Sequence, residues 1–577
     1  MTLIKHATRV TLDGKSVLTI RPSDYVTCGG EGAIYRKGDT IIKLYLDPKK
    51  MQRDDMPVKV RLLASRLNHP SIVSPKGLIL NERDEPIGYH MPYVTGEALP
   101  RLFTNDFRNQ NHFGDTESVI FASKMHDIVH YAHDQKALLV DANELNWLAD
   151  ISDSKNPTPY IIDVDSWAID RFKASVIMPS IRDWHSSEIS EATDWFAWGV
   201  VSFLLFTGIH PYKGTLDGYK PGEMERRMKD NASVFLPKVR LNKAVRDFGI
   251  IPGPLLDWYQ ATFTQGERTI PPSPSATGKA NIALGNIMRV ITTTTGGLVY
   301  EKLFGRAGDA VVSVWPCGVV RIESGQLIEL KTNKTIGSVS GTRVAIVARD
   351  DGWLVTEEIS GVWQWKFMHR KGKEFQLKIP LPIREVVRSG ERIFVVTENE
   401  LVELVVQQFQ TPVLTTHNRW QILGNATVWY HEIGISNVLG ATHLIAPFGE
   451  GSVAIVRTPE LDGLRAVNAT CGNRYAEIIT LNQNGEYQVH SFSFDAHWKK
   501  YSISTRTVDG PEQNLTILPK GVVAEIPEDG KLVITVPSQG VQKVVTDKDL
   551  GSDMRLGRIG DLVVYRKDGE LWSLRMR

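Results

Sequence analysis

The chain has 577 residues, too many for one hydrophobic core, so two to four domains are expected. Its 67 Lys and Arg nearly cancel 66 Asp and Glu, which excludes a global field steering it to nucleic acid or membrane. With 42% apolar and 23% charged residues it reads as an ordinary soluble protein, and its three cysteines contain no CxxC pair, which excludes a disulfide framework or Cys-based zinc site and suits a reducing, cytoplasmic setting.

No apolar core marks a signal peptide in MTLIKHATRVTLDG. Residues 1–45 alternate apolar and polar around Gly and Asp turns, the pattern of a strand meander. Within it, GGEGAIY carries Gly29, Gly30 and Gly32, and a glycine turn lets backbone N–H groups approach a phosphate. A plain hairpin would use the same residues. Lys43 ends a strand-like run beside Ile41, Ile42 and Leu44, so its ammonium needs an anionic partner. Residues 48–68 read as helix, with Pro57 starting the better part. SIVSPKGLIL and PIGYHMPYVTGEAL read as two more strands, and 116–136 as an amphipathic helix ending near His133, a packing or capping histidine.

Next comes LLVDANELN, with Asp141, Asn143 and Asn146, and then YIIDVD, with Asp163 and Asp165. Asp141 could cap a helix and the paired acids could form an Asp-rich turn. Taken with the glycine turn and Lys43, they instead supply the parts of phosphoryl transfer: a phosphate cradle, a cation, a carboxylate facing the attacking hydroxyl and oxygen ligands for magnesium. The run from Trp195, WFAWGVVSFLLFTGIH, is too short to span a bilayer and reads as a buried helix, capped at Thr193 or Asp194 and closed by Gly208. More helix follows to about Phe263, and 265–285 is rich in Pro, Ser, Gly and Thr, as a linker is.

From about 290 helical periodicity is gone. Short β-branched strands are joined by turns at Gly325, Gly352, Asn399, Gly485, Gly530 and Gly569, with one unit between Asn399 and Gly485 too degenerate to see. A period of about 40–45 residues with a hairpin in each unit is a propeller signature, and the length allows about seven blades. A pair of β-sandwiches is the competing arrangement.

Residues 20–272 resemble the eukaryotic-like protein kinase superfamily in a divergent microbial or viral form. GGEGAIY looks like its glycine-rich loop, with Ile34 roofing the adenine, and IIK like its VAIK strand. GYHMPYVTGEAL looks like its hinge, with Met91 as gatekeeper, Pro92 to Val94 reading adenine through the backbone, and Glu97 at the ribose. LVDANELN looks like the HRDxxxxN catalytic loop, IIDVDSW like the DFG segment, TDWFAWG like the DxWxxG helix, and Arg268 like the late arginine of the large lobe. The resemblance implies ATP and Mg2+, with Asp141 and Asn143 catalytic, Lys43 on the α- and β-phosphates, and Asn146 and Asp163 on the metal. Asp165 is the alternative if the register slips by two. Asp194 would tie down the catalytic-loop backbone. Two departures stand out: Val140 replaces the arginine that reads activation-loop phosphate, and the helix at 50–68 has no clear Glu to pair with Lys43.

The expected organisation is multidomain: an α+β bilobal protein-kinase-like fold over 1–272, a linker over 273–289, and an all-β domain over 290–577, a β-propeller of about seven blades. The expected function is an ATP-dependent Ser/Thr protein kinase whose propeller binds a protein substrate or partner, with no nucleic acid and no membrane. A nucleotide-binding pseudokinase scaffold is the main alternative, and a small-molecule kinase is a third.

Overall fold

The alternation at the start of the chain builds β1 (Thr8–Leu12), β2 (Ser16–Ile20), β3 (Tyr25–Cys28), β4 (Gly32–Lys37) and β5 (Thr40–Tyr45). In this computed structural model residues 4, 6–29, 31–174, 176–220, 222–276, 297–448, 451–537 and 541–576 are described, so Gly30 and the linker expected at 273–289, beyond Ala276, lie outside the described residues. Two helices follow, α1 (Pro48–Arg53) and α2 (Met56–Arg66), then β6 (Gly77–Leu80) and β7 (Pro86–Pro92). The strands join in one curled sheet, ordered β2-β1-β6-β7-β5-β4-β3. Direct pairing of Ile34 with Lys43 and of Lys43 with Tyr89 puts these three side chains on one face. The alternate residues, Ala33, Tyr35, Ile42 and Leu44, join Val10 and Ile20 in a core on the other face.

Helices dominate the next part: α3 (Asn105–Gln110), α4 (Asp115–Asp134), α5 (Glu191–Thr207), α6 (Met224–Lys229) and α7 (Gly253–Gln260). On α4 the buried residues Phe121, Met125, Ile128, Val129 and Ala132 recur at helical spacing and face the largest core. Helix α5 is apolar all round and is enclosed from Asp194 to Thr207. It starts before the expected cap at Thr193 or Asp194, because Ser190 is the N-cap and its N–H donates to Thr193 Oγ1 at 3.0 Å. Gly208, left-handed with φ +78°, ends it as expected. The chain stays packed on this part to Pro271, whose carbonyl meets His126 Nε2 at 3.1 Å.

The rest is all β. Seven four-stranded antiparallel sheets follow one another among the described residues, at 311–338, 344–377, 385–421, 427–457, 465–508, 515–545 and finally 555–576. The last of these takes its fourth strand from Leu298–Phe304, at the start of the region. Apolar clusters bridge each sheet to the next, and one joins Val564 and Leu571 of the last sheet to Val320 and Ile328 of the first. Seven junctions that return to their origin make a ring, a propeller-like arrangement in which no sheet face is left uncovered. The sequence hid the fourth sheet because its central turn is Leu439-Gly440, with Leu439 itself at φ +58°, a place where Asn, Asp or Gly would have signalled a turn.

The ring does not stand free of the first half. Tyr25 Oη accepts the Leu439 N–H at 3.2 Å, and Ala426 joins the core of the curled sheet. On the helical side Lys213 Nζ donates to the carbonyls of Val508 and Asp509 at 3.2 and 2.9 Å, and Arg566 pairs with Asp106 at 3.0 Å. The ring is thus in direct contact with the chain's own first half. No helix among the described residues is long and apolar enough to cross a membrane.

Candidate functional site

Between the curled sheet and the helical part lies a cleft organised around Lys43. Its ammonium reaches Asp165 at 2.7 and 3.0 Å and Asp163 at 3.1 Å. Both acids follow β11 (Thr158–Ile161), which pairs with β10 (Trp147–Asp150); β10 in turn pairs with β8 (Glu97–Ala98). Asp163 itself is left-handed, φ +61°, so the chain turns sharply there and both carboxylates converge on the same cation.

The two acids are not equivalent. The Asp165 side chain is 1% exposed and also accepts the Tyr89 hydroxyl at 2.6 Å. Asp163 is 46% exposed and open to the cleft. Burial raises the Asp165 carboxyl, but Lys43 outweighs it and holds the group below the usual carboxylate range. Burial likewise lowers Lys43, and the charges of Asp165 and Asp163 more than reverse it. The helix α2 places no acid at this cluster. It places Lys59, which is buried and donates to the Asp165 carbonyl at 2.6 Å. Lys59 is shifted down by burial, against the pull of Asp165 and of Glu31 on the glycine turn.

The loop after β9 (Ala137–Leu138) carries the other candidates. Asp194 accepts the Leu139 and Val140 N–H groups, each at 2.8 Å, and meets His133 Nε2 at 3.0 Å. That clamp holds Val140 at φ +64°, a strained conformation for a β-branched residue. Asp141 follows directly, close enough to Asp163 to feel its charge. Asp141 caps no helix; its Oδ1 accepts the Met178 N–H at 2.8 Å. Burial raises its carboxyl, the Met178 N–H and the Asn143 amide oppose this, and the charge of Asp163 adds to it. Asn146 Nδ2 donates to the Asp141 carbonyl at 2.7 Å, and the Asn146 carbonyl accepts the Ile162 N–H, which ties this loop to the acid strand. Asn143 Oδ1 is taken by the Leu145 N–H at 2.8 Å, so Asn143 shapes the loop.

The remaining candidates lie around this centre. Gly32 packs on the Lys43 side chain, where an added Cβ would sit 3.0 Å from its Cγ, and Gly29 is exposed at the turn. Met91 pairs with Ile41 and packs with Tyr45, Leu78 and Tyr89; Pro92 and Val94 are half-buried beyond it. Glu97 binds Arg101 at 2.5 Å and, with it, lines a cavity of about 1250 Å³ that runs into the ring. The late Arg268 forks onto Asp183 at 2.6 and 2.8 Å.

Four residues at or near the site escaped the sequence reading: Lys59, Tyr89, Asp183 and Glu144. Tyr89 alternates with Ile87 and Met91, and Lys59 lies one turn before the buried Leu63; both signals are periodic but name no chemistry. The ring also reaches the site: the solvent-accessible Arg465 lies within electrostatic reach of Asp163.

Among the described residues no three His, Cys, Asp or Glu side chains are grouped to hold a metal. The donor set here is smaller: the half-exposed Asp163 carboxylate and the amide oxygen of Asn146, whose nitrogen is turned to Asp141. Magnesium keeps water and substrate phosphates in its shell and is commonly held by one or two carboxylates, so these residues fit it. Comparison with protein-family models and with curated proteins gives no match for this chain.

Proposed function

We propose that the cleft binds MgATP and transfers its γ-phosphoryl group to a hydroxyl acceptor, as a protein-kinase-type phosphotransferase. The observation that carries this is the convergence on one cleft of Lys43, Asp163 and the Asp141–Asn146 loop from three separate stretches of chain. A structural ion pair needs only the first two.

Each residue then has a task. Lys43, released from sharing its charge between two acids, binds the α- and β-phosphate oxygens, while Gly29 and Gly32 bring backbone close to the phosphates. Asp163 and Asn146 would hold a magnesium ion, which would supply positive charge to the phosphates of the nucleotide. Asp165 stays under Lys43 and sets its position. Asp141 accepts the proton of the acceptor hydroxyl as its oxygen bonds to the γ-phosphorus and the bond to the β-bridging oxygen breaks. Burial raises its carboxyl, which strengthens it as a proton acceptor. A Ser or Thr side chain in a cytoplasmic protein is the acceptor proposed.

A nucleotide-binding scaffold without turnover is the second reading, favoured by Lys59 standing where an acid would aim Lys43. One experiment separates them. The full chain should melt higher with MgATP, a gain of about 2.7 kcal/mol at 100 times Kd, and should pass labelled phosphate to protein or peptide. Binding without transfer selects the scaffold, and no melting shift at millimolar MgATP removes both readings.

A further inference from the structure

The segment that follows the two acids returns past Asp141, and here the ring packs against it. Met178 gives its N–H to Asp141, while its side chain and that of Leu145 pack against Val467, Tyr487, Val489 and Val508 of the fifth sheet. The hairpin turn between strands Tyr475–Leu481 and Tyr487–Phe494 is closed by Asn482, whose Oδ1 accepts the N–H groups of Asn484 and Glu486 at 2.9 and 3.0 Å. At its tip Gly485, φ +76°, lies so close to Ser180 that an added Cβ would sit 2.0 Å from Oγ and 2.3 Å from the Ser180 Cβ. Two residues on, the Tyr487 hydroxyl donates to Glu144 Oε1 at 3.2 Å, both side chains buried. Glu144 follows Asp141 by three positions, so the hairpin lies against the loop that carries the candidate base.

The contact is tight yet incompletely satisfied. Glu144 Oε2 and Ser180 Oγ are enclosed at it without a hydrogen-bond partner. Buried orphans weaken an interface that is meant to be permanent, and they are groups another partner could satisfy.

We infer that Glu144, Leu145, Met178 and Ser180 form the docking edge for the phosphate-acceptor segment, and that the chain's own 482–487 hairpin fills this edge and excludes outside acceptors. The inference rests on the phosphotransferase reading and adds to it both a regulation and an acceptor class. The acceptor this edge fits is a turn-forming segment with a glycine against Ser180, an aromatic hydroxyl over Glu144 and an apolar residue on Leu145 and Met178. Nucleotide can bind while the edge is filled, because Lys43 and Asp163 lie outside the contact.

The test uses the full chain with Gly485→Asn. Asparagine tolerates the left-handed conformation, so the turn persists while the new side chain pushes against Ser180. Gly361→Asn is the matched control: that turn glycine has φ +77° and nothing within 4 Å of an added Cβ. Lys213→Ala is a second opener, since it removes the donor to Val508 and Asp509 and the cation over the Tyr487 ring while leaving the hairpin sequence unchanged. All chains should show the same melting shift with MgATP. Transfer of labelled phosphate to a mixture of Ser- and Thr-containing peptides should rise about tenfold or more in Gly485→Asn and Lys213→Ala, and stay at the wild-type level in Gly361→Asn. A synthetic peptide spanning residues 480–489 should suppress the gain. Equal transfer in all four chains, including none in any, overturns the inference while the MgATP shift stands, as does an equal rise in the control. Absence of the MgATP shift in the wild type removes the phosphotransferase reading, and the inference with it.

Discussion

The sharpest consequence of the cleft geometry is that Asp165→Asn and Asp163→Asn should fail in different ways. Asp165 is 1% exposed and holds Lys43 through both oxygens, at 2.7 and 3.0 Å. Its replacement strands a buried ammonium, and removing one partner of a buried pair costs about 3–5 kcal/mol. Asp163 still reaches Lys43 at 3.1 Å, so the lower end, about 3 kcal/mol, is expected. For a domain of roughly this size each kcal/mol moves Tm by about 2–4 °C, so the first half should melt about 6–12 °C lower. Asp163 is 46% exposed, and its own pair with Lys43 should contribute only about 0–1 kcal/mol. Asp163→Asn should therefore melt almost like wild type yet lose the MgATP-dependent shift, because it removes the charged metal ligand. The acid dependence has a definite sign. The Asp165 carboxyl is held below its unfolded value, about 3.9, so its contribution is present above that pH and is lost as pH falls through the lower folded value. The gap between wild type and Asp165→Asn should hold from neutral pH down to about pH 4 and close below it. Scanning calorimetry of the three chains across pH, with and without MgATP, reads both effects. Equal destabilisation by the two substitutions, or a larger loss from Asp163→Asn, would refute the assignment of Asp165 to structure and Asp163 to metal.

Asp141→Asn should abolish phosphate transfer and keep the MgATP melting shift, since an amide oxygen can still accept the Met178 N–H but cannot take the acceptor proton; loss of binding would show that Asp141 does something else. Asp194→Ala leaves the N–H groups of Leu139 and Val140 and the His133 ring without their acceptor, so it should cost about 3 kcal/mol or more, and the Leu139 and Val140 amides should lose hydrogen-exchange protection first. Arg268→Lys keeps the charge but cannot fork Asp183, and a loss of about 1–2 kcal/mol should appear in denaturant unfolding. A chain cut at a protease site engineered between Ala276 and Gly297 should elute as one species, because the halves are held by Lys213, Asp106 and Tyr25; separation at neutral pH would contradict the interface. Glu528, at that interface beside Asp509, is pushed up to about 8 by burial and by the Asp509 charge, so the stability it gives is full below its unfolded value, about 4.3, and the halves should part more readily as pH rises from there towards 8.

Much of this protein is local and therefore legible. The alternation of the first 45 residues, the stripe of α4, the all-apolar α5 with Gly208 at its end and the recurrent hairpin turns each follow from a few neighbouring residues, and each is where the sequence puts it. The fourth sheet was hidden because Leu439 occupies a left-handed turn position, a choice that neighbouring sheets hold in place and propensity does not signal. The cap of α5 was misplaced by a few residues because Ser190 and Thr193 satisfy one another and leave Asp194 free to clamp the loop.

The candidate site divides the same way. Lys43, Asp141, Asn146, Asp163 and Asp165 could be named from residue type, spacing and order, since a charge in an apolar strand and acids at a strand end are unusual wherever they point. Which acid lies beneath Lys43 and which faces the cleft could not, because that depends on the left-handed turn at Asp163 and on Tyr89 arriving from another strand. Lys59 illustrates the limit: an amphipathic helix tells which side is buried, but only the packing of α2 on the acid strand brings its cation to the Asp165 carbonyl. Composition and periodicity divide the chain into an α+β half and an all-β half. Only the tertiary structure decides that the hairpin at Gly485 closes on Ser180 and Glu144, because two surfaces hundreds of residues apart share no local signal until the chain has folded them together.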